Sequence, residues 1–212
     1  MANNFVNGFA SIVTAGENYQ SVGSATGNHT GPQLVYRANK DHNDAETAGG
    51  TGVNSILVEL DASNTGTASL ALSAFIQDYD KSLGTITSIT SSSDVATVVC
   101  ASNHNLQTGQ YVHVTGSTAS YVNGIYKITV TSATEFTYQQ NSGAADIGGG
   151  GYAGTILIYP AYHIVKDVTI PVSSTLKIVS GQKIVLNAND RVYAYASAAH
   201  CDVIAGVLQE VD

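Results

Sequence analysis

Hydrophobic positions along this chain recur in short runs bounded by Gly, Pro, Asn, Asp and Ser, and the three-to-four spacing of an amphipathic helix is almost absent. Alternating or continuous apolar runs predict strands over residues 5–14, 33–37, 55–60 and 69–76. A Gly-Pro pair precedes the second run. Asp61-Ala-Ser-Asn-Thr-Gly66, between the third and fourth, reads as a compact turn of short polar side chains. Further strands are predicted over 155–159, 162–168, 175–179, 183–186, 191–196 and 202–208. Turns separate them at the spacing of about 8–12 residues expected of a sandwich or barrel. The fold class read from this pattern is all-β, with a host domain of β-sandwich or jelly-roll type.

Between the two groups of strands lies a stretch with strand and turn signals of its own. Residues 95–100 read as a strand, His104-Asn-Leu-Gln-Thr-Gly-Gln110 as a turn, 116–124 as another turn, and 135–138 as a closing strand. A Ser- and Thr-rich segment, 85–93, precedes it, and four glycines, 148–151, follow it. This organisation predicts a small antiparallel β domain, barrel- or immunoglobulin-like, inserted over 85–154 into a discontinuous host of 1–84 plus 155–212. Loop-closure entropy grows slowly with length, so a host hairpin tolerates such an insertion. The glycine run supplies a flexible return. Residues 38–54 are polar and unpatterned and predict a long loop, a class that is usually functional or disordered.

Charge changes the picture by exclusion. Eight Lys and Arg against 16 Asp and Glu leave a net charge of −8. That speaks against a nucleic-acid partner, because binding phosphates requires cations that displace counterions. No segment approaches the ~20 apolar residues of a membrane span, so no membrane partner is expected. The first residues carry neither a basic region nor a long apolar run, so no secretory signal is expected there. Charges make up only 11% of the chain, and interface cores are poor in charge, which points to surface covered by neighbouring subunits. Cys100 and Cys201 both sit in apolar runs and read as buried thiols.

Candidate chemistry is sparse. Asp41, His42 and Asp44, with Glu46, form the densest cluster of metal-capable side chains. A calcium loop needs oxygens at alternate positions and a distal Glu, and here Ala45 and Thr47 interrupt the series. The cluster therefore reads as a solvated or partner-facing loop, with no metal and no cofactor expected. His104 has no nucleophile near it in sequence. His113 is expected on the exposed face of its strand. His200 and Cys201 are adjacent, so on a strand they point to opposite faces and cannot pair. No phosphate-binding loop, dinucleotide fingerprint or nucleophile elbow occurs. No catalytic residue is assigned, and an enzyme is not expected. On the predicted strand 191–196, Val192, Ala194 and Ala196 face one way and Arg191, Tyr193 and Tyr195 the other. That second face has an interface composition. An ordinary outer face is the alternative.

The chain's ending reads Ile164-Val-Lys166, Ile170-Pro171, Leu176-Lys-Ile-Val-Ser-Gly181, Lys183-Ile-Val-Leu186, Asn189-Asp190, Arg191-Val-Tyr-Ala-Tyr-Ala-Ser197 and Asp202-Val-Ile-Ala-Gly-Val-Leu208. It resembles a recurrent ending of small virion proteins of tailed bacteriophages. The opening Asn7-Gly-Phe-Ala-Ser-Ile-Val13 is similar to their usual start. Together the resemblance covers roughly residues 1–84 and 155–212. The central stretch carries His104-Asn-Leu-Gln-Thr-Gly109, Val112-His-Val-Thr-Gly116, Tyr121-Val-Asn-Gly124-Ile-Tyr-Lys-Ile128 and Thr134-Glu-Phe-Thr-Tyr138. It resembles small β modules of phage tail and capsid proteins, departing from their His-Gly-Leu turn at Asn105.

The resemblance implies a non-enzymatic virion protein: a cement or decoration protein on the capsid, or a neck component. Its location would be the virion, assembled in the bacterial cytoplasm. The low charge and the Arg191, Tyr193 and Tyr195 face point to a homo-oligomer, expected to be a trimer, and the further partners implied are the major capsid protein or other virion proteins. The rival is a tail-fibre or receptor-binding module in which Tyr111, Tyr121, Tyr126 and Tyr138 stack on host glycans. The same tyrosines also read as the module's own core and cross-strand pairs.

Overall fold

The computed structural model describes residues 4–12, 20–21, 29–30, 32–39, 52–83, 86–115, 123–140 and 156–209. Over these residues the protein is all-β. The strands are β1 (Asn4–Ile12), β2 (Gln20–Ser21), β3 (His29–Thr30), β4 (Gln33–Arg37), β5 (Ser55–Asn64), β6 (Leu70–Gln77), β7 (Ile86–Ser92), β8 (Val95–Cys100), β9 (Tyr111–Thr115), β10 (Gly124–Val130), β11 (Glu135–Gln139), β12 (Leu157–Ile170), β13 (Thr175–Leu186), β14 (Arg191–Ala196) and β15 (Cys201–Gln209). One 3₁₀ turn, Tyr79–Lys81, follows β6. The described residues group into two compact units. One is drawn from 1–17, 28–80 and 162–212, the other from 18–27 and 81–161.

The first unit is a sandwich. One layer is an antiparallel sheet in the order β1-β15-β5-β13. The other layer has the order β4-β14-β6 and continues into the part of β12 from Tyr162 onward. Period-two alternation, reset in β5 by a register shift between Leu57 and Glu59, places Val6, Leu57, Leu60, Ala62, Val203, Ala205 and Val207 inward, against Val35, Leu72, Ala74, Val192, Ala194 and Ala196. Each large aliphatic side chain buried this way contributes about 1.5–3 kcal/mol relative to exposure. β1 and β4 approach closely at Gly8, where a Cβ would stand 2.3 Å from the Val35 carbonyl oxygen.

A buried polar network closes one end of this unit. Tyr36 Oη lies 2.9 Å from Ser55 Oγ, and the Gln209 side-chain amide donates to Tyr36 Oη at 2.8 Å and to the Asn39 carbonyl at 2.7 Å. Asn39 bridges Gly52, and the Val53 amide donates to the Ala38 carbonyl. The long loop read over 38–54 is thus held at its base. Residues 40–51 lie outside the described residues.

The second unit has the strand order β12-β9-β10-β11-β8-β7, with Leu157–Ala161 of β12 as the neighbour of β9. Its own core gathers Ile86, Ile89, Ala96, Val98, Val112, Val114, Tyr126, Ile128, Phe136, Tyr138 and Ile158, with Leu83 and Ile156 at its margins.

Several predicted boundaries move. The turn expected at 61–66 begins later, because β5 continues to Asn64 with Ala62 and Asn64 inward. Asn64 then makes the turn itself: its amide donates to the Ala68 and Ile170 carbonyls, and its Oδ1 accepts from the Gly66 amide. The segments 155–159 and 162–168 are one strand, β12. The segments 175–179 and 183–186 are likewise one strand, β13, interrupted by register shifts around 178 and 181–183, where Gly181 has φ 76°. The segment 85–93, taken as flank, contains β7. An irregularity between Ile86 and Ser88 gives its inward residues Ile86 and Ile89 a spacing of three and hides the alternation. The glycines 148–151 lie outside the described residues.

Candidate functional site

β14 lies between β4 and β6, so both of its hydrogen-bonding edges are paired. Val192, Ala194 and Ala196 enter the sandwich core. Tyr193 and Tyr195 point the other way and are also buried, at 8% and 5% exposure. They do not form the open interaction face expected from the sequence. Phe75 sits opposite Tyr193 in the ladder, and their rings stack at 5.4 Å. Tyr195 lies 6.4 Å from Phe75, and His163 of β12 lies 5.9 Å from it. Arg191 is half-buried, with its guanidinium carbon 5.5 Å from the centre of the Tyr79 ring. Asp41, His42 and Asp44 lie outside the described residues.

The aromatic cluster contains a histidine and borders a serine and an aspartate. His163 Nε2 is 3.4 Å from Tyr195 Oη, and burial, with Lys166 adding to it, lowers the imidazole's pKa. Ser73 is buried, but its hydroxyl is engaged by Asp167: Oγ accepts from the Asp167 amide at 3.0 Å and donates to Oδ1 at 3.3 Å. Lys166 holds the Asp167 carboxylate and pulls its pKa down. An activated nucleophile needs its base within hydrogen-bond reach. Here the serine's hydroxyl is committed to Asp167, and the arrangement is one that fixes β12 against β6.

The other sequence candidates resolve into structural roles. His104 is buried in the second unit. Its Nδ1 accepts from the Leu106 amide at 3.0 Å, which leaves Nε2 to donate to the Ser132 carbonyl at 3.1 Å. The ring meets Phe136 edge-on at 5.5 Å. His113 was expected on an exposed face and is 1% exposed instead. His200 is exposed with φ 69°, while Cys201 beside it is buried in the sandwich core. Cys100 and Cys201 are both free, buried thiols. Tyr126 and Tyr138 are buried and stacked at 4.1 Å, so they are core side chains rather than a platform for sugars. Tyr121 lies outside the described residues. Among the described residues no three of His, Cys, Asp or Glu come together to hold a metal ion.

The surface that stands out is the outer face of the four-stranded sheet. The register aligns its outward residues into rows across all four strands. Phe5, Leu208, Ile56 and Val185 form one row. Next come Asn7, Gly206, Glu59 and Ser180, and then Phe9, Ile204, Asp61 and Lys177. Phe5 is 74% exposed, Val185 69%, Phe9 64% and Ile204 50%. Lys177 pairs with Glu59 at 3.8 Å, and Ser11 donates to Asp202 at the far end of the face. Burial of Asp61, with Glu59 beside it, raises its carboxyl pKa. Sequence reading missed this face because it treated β1 as an apolar run and assigned it no outer side. The signal was present: Phe5 and Phe9 fall on the same parity as Asn7 and Ser11, opposite Val6 and Ile12.

No family model matches the chain, and no curated protein matches it.

Proposed function

We propose that the chain is a structural protein of a tailed-bacteriophage particle, acting as a capsid cement or decoration protein that binds the shell as a homo-oligomer. The observation that carries the homo-oligomer in this reading is the exposed apolar face of the four-stranded sheet, set on an all-β sandwich. Broad apolar surface on a soluble domain marks a place where protein docks. The resemblance of the segments 1–84 and 155–212 to virion proteins supplies the setting. Function in this reading comes from contact rather than turnover. Each copy contributes modest area, and repetition on a lattice multiplies it.

The test is deletion. Particles assembled without the protein are expected to package DNA and to lose it sooner on heating, with resistance restored by adding the purified chain. Particles of unchanged heat resistance that no longer adsorb to cells overturn the cement reading in favour of receptor binding. Filled heads that never join tails overturn it in favour of a neck role.

A further inference from the structure

We propose that the outer face of the four-stranded sheet docks a second copy of this chain, the two sheets packing face to face about a two-fold axis. This deepens the structural-protein reading by naming the surface of self-association. It also replaces the trimer expected from the sequence with a closed pair.

Shape carries the first part of the argument. Along the strands the face runs ridge, notch, ridge. Phe5 with Leu208 is the first ridge, Phe9 with Ile204 the second, and Gly206 floors the notch between them. Gly206 borders the register shift between Gly206 and Val207, yet the space around it admits a side chain. A Cβ at Gly206 would meet Glu59 Cβ at 3.4 Å and the Val58 side chain at 3.7 Å, which is ordinary contact, and the backbone is not left-handed. Contrast Gly8, where the neighbouring backbone leaves no room. Glycine inside a strand weakens it and often marks close approach by another group. A ridge from a second copy fills the notch, and two-fold symmetry makes the fit reciprocal.

Size carries the second part. Four strands about 4.8 Å apart, over about eight residues rising ~3.4 Å each, give a face of about 500 Å². Two copies would therefore cover about 1,000 Å², the low end of a specific interface. A closed pair needs only this one patch, whereas a three-fold ring needs two different patches that fit each other. The remaining large exposed apolar residues among those described are Val95, Leu157, Tyr162 and Val172, and no two of them are cross-strand partners. They do not build a second patch.

Charge sets the expected salt response. Each copy carries −8, so two copies repel at low salt, and screening relieves that repulsion while leaving apolar burial intact. Self-association is expected to strengthen with added salt.

The experiment is sedimentation of the purified full chain over a concentration series from low micromolar to near millimolar, at low and at moderate salt. The mass is expected to rise from 21.9 kDa toward twice that value. Two variants are run beside it: the double substitution Phe5→Ser with Phe9→Ser, and Gly206→Thr, which fills the notch. Each is expected to weaken self-association by about tenfold or more while keeping the wild-type circular dichroism and melting behaviour. If one variant fails to fold, the other still reports. A wild-type chain that stays monomeric throughout, one that associates equally well in both variants, or one that forms trimers overturns the proposal. The measurement is made on the protein alone. It therefore fails or succeeds independently of the particle-heating assay.

Discussion

At Gly8 the backbone of β4 closes directly on β1. A methyl group there would stand 2.3 Å from the Val35 carbonyl oxygen and 3.0 Å from Tyr36 Cβ, so Gly8→Ala must push β1 away from β4. Overpacking of this kind costs about 1–3 kcal/mol. The variant is expected to melt measurably below the wild type, and an unchanged melt would contradict the close approach. Tyr138 behaves in the opposite sense. Its hydroxyl is buried and finds no hydrogen-bond partner among the described residues, and burial holds its pKa well above 10.0. Tyr138→Phe removes that unpaired group and is expected to be neutral or to stabilise by about 1 kcal/mol, read from urea midpoints. The buried acids also set an alkaline limit. Burial pushes the Cys201 thiol up to about 11 from 9.0 and raises Cys100 and Tyr36 in the same direction. Above 9.0 the unfolded chain releases protons that the folded chain retains. The unfolded state then binds fewer protons, and stability falls as pH rises. Urea midpoints are expected to decline between 9.0 and about 11, and a flat profile across that window would refute the burial of these groups.

At the scale of elements, period-two alternation made most strands legible, and the misses have specific causes. Asp61 resembled a turn residue because short polar side chains favour turns, but on β5 it faces outward beside Lys177 and leaves the turn to Asn64. β7 was hidden by its register irregularity and its Ser and Thr content. Pairing also decides which piece of chain should fold alone. Leu157–Ala161 is the ladder neighbour of β9, and Leu83, Ile156 and Ile158 belong to the second core. A fragment ending at 154 loses all of these except Leu83, and one starting at 85 loses that too. Expressed alone, 81–161 is expected to give dispersed amide resonances, and 85–154 is expected to give a collapsed spectrum. The reverse outcome would place the unit's boundaries wrongly. Within that unit His104 braces its own segment by accepting from the Leu106 amide at Nδ1 and ties it to the β10–β11 turn by donating from Nε2 to the Ser132 carbonyl. His104→Ala removes the partner of the half-buried Leu106 amide and of the Ser132 carbonyl and is expected to cost about 1–2 kcal/mol of the unit's stability.

For the whole molecule, fold class was readable in the sequence and the interaction surface was not. Arg191, Tyr193 and Tyr195 have an interface composition, yet Tyr193 and Tyr195 are buried, packed with Phe75 and His163 from other strands, and no local pattern displays those neighbours. The apolar face of the other sheet exists only once four strands distant in sequence come into register. In the proposed account that face assembles copies, and the assembled protein reinforces a repeated shell. The claim of shell-wide cement turns most directly on stoichiometry. Quantitative mass spectrometry of purified particles gives the molar ratio of this chain to the major shell protein. The account predicts a fixed ratio set by the repeating lattice, unchanged after stringent washing. A ratio matching a single vertex or the tail tip would contradict it.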